Sequence, residues 1–213
     1  LSCSSAASDV YKRQTGSTAA EFNSINGKTT VAVNMTNVTA LAGSSLADLG
    51  TLATAINNNE FVNATGLSTI AVTDTTVDAT TLAARISSYD TINGGATTGM
   101  TLVSGATIEV EAGEIAAMLA DEGAGRLTIG DQAITVTGAI TVDNANLLGA
   151  TTTGKVTATI DTSETVNELI TLTGTGNAYT IVINEISAIA SDLNTINDAT
   201  ALAVNLTNVT AIA

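Results

Sequence analysis

Residues 194–213, NTINDATALAVNLTNVTAIA, restate residues 23–42, NSINGKTTVAVNMTNVTALA. Thirteen of the twenty positions are identical, and others are exchanges such as Met35 for Leu206 or Leu41 for Ile212. A phrase of this length returning after 171 residues marks a repeat array. The chain stops on the last letter of the phrase, before the helical pattern that follows its first copy. The expectation is a fragment, truncated at its C-terminus, whose continuation reads close to GSSLADLGTLATAINNN.

Between the two copies, β-branched alternation recurs in TTVAVNM (29–35), STIAVTD (68–74), MTLV and TIEVE (100–111), ITVTGAITVD (134–143), KVTATID (155–161), YTIVIN (179–184) and ALAVNL (201–206). Such runs read as strands. Each closes on a polar residue suited to a helix N-cap: Asn37, Asp74, Glu111, Asp143, Asp161, Asn184 and Asn208. A carboxylate there accepts a first-turn amide and meets the positive end of the helix dipole. Short helical patterns follow in SSLADLGTLATAI (44–56), VDATTLAARISSY (77–89), GEIAAMLADEG (113–123), SETVNELITL (163–172) and EISAIASDL (185–193). Their apolar residues fall at helical spacing, as in Leu46, Leu49, Leu52 and Ile56, or Ile186, Ile189 and Leu193. The link after Asp143, NANLLGATTTG, predicts one turn at most.

A strand–cap–helix cycle of 18–37 residues predicts an α/β repeat solenoid with one parallel strand per coil and short helices or loops closing the other side. A β-solenoid (β-helix) with few helices is the alternative, and two α/β domains joined near residues 121–131 rank lower. The predicted organisation is a disordered translation artefact over 1–14, a partial repeat or flexible start over 15–28, and a single array of about six coils over 29–213.

Composition excludes whole classes of function. From residue 15 onward four basic residues face nineteen acidic ones, which argues against a nucleic-acid groove and an anionic membrane surface. No apolar stretch approaches the ~20 residues of a membrane-spanning helix. The chain has no proline, histidine or tryptophan, and its one cysteine is Cys3. Histidine-assisted serine catalysis, cysteine nucleophiles and ordinary zinc sites are therefore ruled out. GATTTGK (149–155) lacks the leading glycine spacing of a phosphate loop. The carboxylate neighbours Glu109 and Glu111, or Asp121 and Glu122, read as solvated acidic surface rather than a glycosidase pair.

Two resemblances add to this reading. LSCSSAASDVYKRQ (1–14) looks like a translated sequencing-adapter read-through of the kind found at the ends of metagenomic predictions. It lacks the apolar core of a signal peptide. The phrases IAVTDTTVDATTLAARI (70–86), IVINEISAIASDLNTI (181–196) and VAVNMTNVTALA (31–42) resemble Ala/Thr/Asp-rich repeats of very large secreted bacterial surface proteins, many exported by the type I route. That resemblance implies an extracellular or cell-surface, adhesive or structural role. The glycine/aspartate nonapeptide of the calcium-binding relatives is absent. A fainter likeness to leucine-rich repeats lies in Val33, Met35, Asn37, Val38 and Leu41, with the asparagine one position early.

The expected function is thus a non-enzymatic stalk, spacer or adhesive scaffold. Its expected partners are neighbouring repeats of the same longer chain, with no nucleic acid, no membrane span and an unidentified surface or matrix partner. No cofactor is expected, and calcium binding is the first alternative. Ca²⁺ wants six to eight oxygen ligands, for which Asp74 with Asp78, and Asp143 with Asp161, are the candidates. Ice binding is the second alternative, on the Thr-x-Thr pairs Thr135/Thr137, Thr157/Thr159 and Thr171/Thr173/Thr175, against plain β-propensity. Five Asn-x-Ser/Thr sequons, such as Asn34–Thr36 and Asn208–Thr210, would be silent in a bacterial product.

Overall fold

The polar residue that closes most strand signals is followed by a second strand before any helix begins, and this changes the architecture. A computed structural model describes residues 16–213; the stretch 1–14 and Cys3 lie outside the described residues. In chain order the elements are α1 (Ala19–Asn26), β1 (Val33–Asn34), β2 (Ala40–Ser44), α2 (Leu46–Asn57), β3 (Phe61–Val62), β4 (Thr69–Val72), β5 (Thr76–Asp78) and α3 (Ala79–Ile92). They continue as β6 (Gly99–Leu102), β7 (Thr107–Glu111), a 3₁₀ turn (Ala112–Glu114), α4 (Ile115–Gly123), β8 (Leu127–Thr128), β9 (Ala133–Ile140) and α5 (Val142–Thr151). The rest is β10 (Val156–Ile160), α6 (Val166–Leu169), β11 (Ala178–Thr180), β12 (Ser187–Ala188), α7 (Ala190–Asp198) and β13 (Ala211–Ile212).

These strands do not form the single-file solenoid with one strand per coil, nor its β-helical alternative. They divide among four sheets: β2-β4-β6-β8, β5-β7-β9-β10-β11, and the pairs β1-β3 and β12-β13. Every pairing is parallel. With seven α-helices among the described residues, the chain is a mixed α/β fold. It clusters into two compact units rather than one array. Unit 1 runs to Thr75 and adds Thr80–Val103 and Met118–Thr128; unit 2 comprises Thr76–Ala79, Ser104–Ala117 and Ile129–Ala213. The chain passes between the units several times, so no one linker near 121–131 separates them.

Unit 1 carries the four-stranded sheet, whose alternation is plain in β4: Thr69 and Ala71 are exposed while Ile70 and Val72 are buried. Its core includes Leu49, Leu52, Leu67, Leu82, Met100 and an edge-to-face pair, Phe22–Phe61, at 6.1 Å. Residues 16–28 are not a flexible start. They hold α1, closed by a reciprocal capping box between Thr18 and Glu21.

Unit 2 carries the five-stranded sheet, with Ile108, Ile134, Val156 and Tyr179 fully buried. Strand β9 is interrupted at Gly138, whose φ of 93° is natural for glycine and costly for other residues. The register against β10 shifts there: Thr135 faces Thr157, yet Ala139 faces Thr159, the signature of a bulge. The link after Asp143 is a ten-residue helix, α5, rather than one turn. Val142, Ala145 and Leu148 give it a buried stripe at spacing three, which the neighbouring Gly149 and threonines mask in the sequence. Conversely, Ile186 and Ile189 are exposed and precede α7, whose inner residues are Leu193 and Ile196.

Candidate functional site

The most regular chemical feature is the way helices begin. In α1, α2, α5 and α6 the residue before the first turn is a hydroxyl: Thr18, Ser45, Thr141 and Thr165. Each accepts from the amide three residues on, namely Glu21, Asp48, Asn144 and Glu168, at 3.1–3.3 Å. An N-cap side chain reaches the second or third helical amide, so the first is left over. That amide finds an acceptor from a later segment of chain. Ala19 N–H donates to Ser44 Oγ at 2.8 Å, Leu46 to Asp74 Oδ2 at 2.8 Å, Val142 to Glu164 Oε1 at 3.3 Å and Val166 to Glu185 Oε1 at 2.7 Å. Three of the four are carboxylates set against the positive end of a helix dipole.

Asp74 is therefore a cap, but of the helix before it, because β5 intervenes before α3. The other predicted caps take different places. Asn37 sits in a turn between β1 and β2 and starts no helix. Glu111 does occupy an N-cap position, before the 3₁₀ turn, its amide donating to Glu114 Oε2 at 3.3 Å. Asp143 lies inside the first turn of α5, behind the true cap Thr141. Asp161 caps a turn, accepting from Ser163 N–H at 2.9 Å, and that bond lowers its carboxyl below the usual range. Asn184 donates to Thr162 O at 2.7 Å, and Asn208 donates to Asn184 Oδ1 at 2.8 Å. These two asparagines bridge successive chain segments and cap no helix.

Within the repeated phrase the active asparagine is the one three positions earlier. Asn34 Oδ1 accepts from Thr36 N–H at 3.0 Å and Thr36 Oγ1 at 2.6 Å; Asn205 does the same with Thr207, at 2.9 and 2.5 Å. Two of the sequons are thus Asx turns. The hydroxyl caps were legible as Ser/Thr-x-x-Glu/Asp/Asn patterns at 18–21, 45–48, 141–144 and 165–168. Glu164 and Glu185 had no local signal, since their partners lie 22 and 19 residues away.

The weak calcium candidates gain little from this placement. Asp74 and Asp161 are engaged by backbone amides, and Asp78 has an interaction of its own. Asp143 is an exposed residue in the first turn of α5. Among the described residues no three Asp, Glu, His or Cys group together as a metal would require. The threonine pairs do not build a continuous array. Thr135 faces Thr157, but Thr157 faces Ala178 on its other side and the Gly138 bulge sets Ala139 against Thr159.

Two clefts, each of about 320 Å³, lie in unit 1. One is lined by Asn23, Asn26, Thr51, Thr54, Asn58 and Glu60, with Asn26 bonded to Glu60. The other contains Arg126, whose Nε is 2.8 Å from Asp90 and Nη1 3.4 Å from Asp121. That half-exposed bridge contributes little to stability. No helix of the described residues is long and apolar enough to cross a membrane. Comparison with protein-family models, curated proteins and solved structures finds no match for the chain.

Proposed function

We propose that this chain is a non-enzymatic structural segment, a spacer or adhesive scaffold of a secreted or cell-surface protein. The observation that supports this is the double capping of helix starts. Each N-cap hydroxyl serves its own helix, while Ser44, Asp74, Glu164 and Glu185 accept the first amide of an earlier one, an arrangement suited to holding successive segments in register. The excess of acidic residues keeps such a surface soluble and repels its own copies.

The test is thermal unfolding of the full chain with and without millimolar Ca²⁺, beside the variants Glu164→Ala and Glu185→Ala, which remove the acceptors of the Val142 and Val166 amides. The scaffold reading expects no calcium shift and a fall of several degrees for each variant, because losing a cap costs about 0.5–2 kcal/mol and 1 kcal/mol moves the midpoint by roughly 2–4 °C in a chain of this size. A rise of several degrees on adding calcium would replace it with an ion-binding function.

A further inference from the structure

The two clefts of unit 1 lie at equivalent joints and are finished with opposite charges. After α2, Asn59 N–H donates to Ile56 O at 3.0 Å and Glu60 N–H to Ala55 O at 3.0 Å. After α4, Gly125 N–H donates to Glu122 O at 2.9 Å and Arg126 N–H to Asp121 O at 2.9 Å. Asn59 and Gly125 are left-handed, at φ 61° and 71°. Both helices thus close as Schellman ends, and Glu60 and Arg126 hold the same position, immediately before β3 and β8. Each borders a cleft of about 320 Å³ toward the preceding helix. In the later cleft the guanidinium of Arg126 lies between Asp90 and Asp121. In the earlier one the same position is an acid, and among the described residues no basic side chain lines the wall.

The donors of that wall are already committed. Asn23 Nδ2 donates to Asp48 O at 3.0 Å, and the hydroxyls of Thr51 and Thr54 donate to Ala47 O and Gly50 O at 3.3 and 2.9 Å. Asn26 and Asn58 each turn an amide N–H to the Glu60 carboxylate. Acceptors are left over. Asn23 Oδ1 is buried and receives no hydrogen bond. A hydroxyl oxygen that has donated its proton keeps its lone pairs, and Glu60 carries a negative charge. A buried oxygen left unmet costs free energy, which a ligand bringing donors recovers.

We propose that the cleft between α1 and α2 binds a primary alkylammonium group, as a lysine side chain or a small diamine carries. Glu60 is its counter-ion, and Asn23 Oδ1 and the Thr51 and Thr54 oxygens are its acceptors. An ammonium offers three N–H donors around one compact charge. That suits a single carboxylate beside neutral oxygens, whereas the planar fork of a guanidinium suits the two carboxylates around Arg126. Calcium fits less well, since it wants six to eight oxygens and no three acids among the described residues group together. Ala55 adds an apolar wall for the alkyl stem. Binding here goes beyond the spacer function and does not depend on it, since both walls belong to the fold of unit 1.

The experiment titrates n-butylammonium chloride into the full chain at constant ionic strength and follows backbone and side-chain amide shifts. Tetramethylammonium, with the same charge and no N–H donor, runs beside it. Saturable shifts are expected at Asn23, Asn26 and Asn58, with tetramethylammonium roughly tenfold weaker or more, the scale of hydrogen bonds to a charged group. Glu60→Gln should weaken butylammonium by a similar factor and Thr54→Val by roughly threefold. Both positions are exposed, and unchanged shifts around Arg126 would show the fold intact. Nα-acetyl-lysine methylamide and putrescine then separate a protein side chain from a small diamine as the source, by which binds more tightly. Equal shifts from tetramethylammonium, or shifts that survive Glu60→Gln, would overturn the proposal, leaving only the attraction of any cation to a chain of net charge −14. Absence of a saturable shift would overturn it too, as would calcium chloride saturating the same amides at lower concentration.

Discussion

Tyr89 in unit 1 and Tyr179 in unit 2 are both fully buried, and each hands its hydroxyl proton to a carbonyl of a helix: Leu49 at 3.0 Å and Ala145 at 3.2 Å. Each contact sits beside a helical glycine, Gly50 or Gly149. The means of approach differ. In unit 1 the tyrosine rides on a helix, α3, and Arg85 one turn earlier donates Nε–H to Leu46 O at 3.1 Å while its guanidinium covers Gly50. In unit 2 the tyrosine is in a strand, β11, and the neutral Asn177 donates to its hydroxyl at 3.0 Å. A buried hydroxyl needs a partner in either setting. In unit 1, where the tyrosine is on a helix, a half-buried cation lies one turn away and bonds the neighbouring helix; in unit 2, where it is on a strand, a neutral amide bonds the hydroxyl itself.

Removing the hydroxyls should separate the units most. Tyr179→Phe removes the bond to Ala145 O and leaves the Asn177 amide without its hydroxyl acceptor, whereas Tyr89→Phe removes only the bond to Leu49 O. Both carbonyls lie inside helices and keep their place in the helical ladder. Losses of about 1–3 and about 0.5–1.5 kcal/mol are expected, the first on the scale of a buried donor left unsatisfied and the second on that of one hydrogen bond. Urea midpoints, with hydrogen exchange to assign the loss to one unit, would measure them. Equal losses would break the comparison.

The glycines should then differ in sign. A Cβ on Gly50 would lie 2.6–2.7 Å from the Arg85 guanidinium, forcing it off Leu46 O, whereas on Gly149 it would meet Asn177 and Tyr179 at 3.4–3.6 Å. Alanine gains up to about 1 kcal/mol over glycine inside a helix. Gly149→Ala should therefore raise the melting temperature slightly, and Gly50→Ala should leave it unchanged or lower it.

Alkaline titration sharpens the same contrast. Burial pushes Tyr179 up to about 12, with the Asn177 bond opposing it, and pushes Tyr89 well above the ordinary tyrosine range, with Arg85 opposing. Both folded-state values lie above the unfolded one, so the stability they contribute is complete below roughly pH 10 and is lost as pH rises through the folded values. Unfolding monitored by exchange from pH 9 to 12 should therefore show both units weakening only above about pH 10.

The smallest effect lies on the acid side and in unit 2. Bonds from Ser104 to Asp131, from Ser163 to Asp161 and from Thr165 to Glu168 hold these exposed carboxyls below their ordinary values. Their contribution is present above roughly pH 4 and fades as pH falls through the lowered values. Thr165→Val should lower the protection of α6 at pH 7, where cap and carboxylate bond are both present, and blunt its further fall as the pH drops.

Much of the local structure was legible. Strand β7 lies within TIEVE, and the Leu46–Leu49–Leu52 stripe does face inward. The repeated phrase was visible too, but its parts were misassigned. TNVTALA contains an Asx turn closing on Asn34 and leads into β2, so it is not a cap opening a helix. Two strands per cycle instead of one sends them to different sheets, which no count of alternation reveals.

The order of residues determined which short segments are strands or helices, because alternation, hydroxyl caps and Asx turns act within about four positions along the chain. Only tertiary structure decided which strands share a sheet, and which carboxylate meets which first helical amide. Parallel strands cannot pair through a tight turn. A helix's own N-cap serves the amides farther in. Both kinds of partner must come from another segment: Asp74 for Leu46, Glu185 for Val166 and β4 for β2.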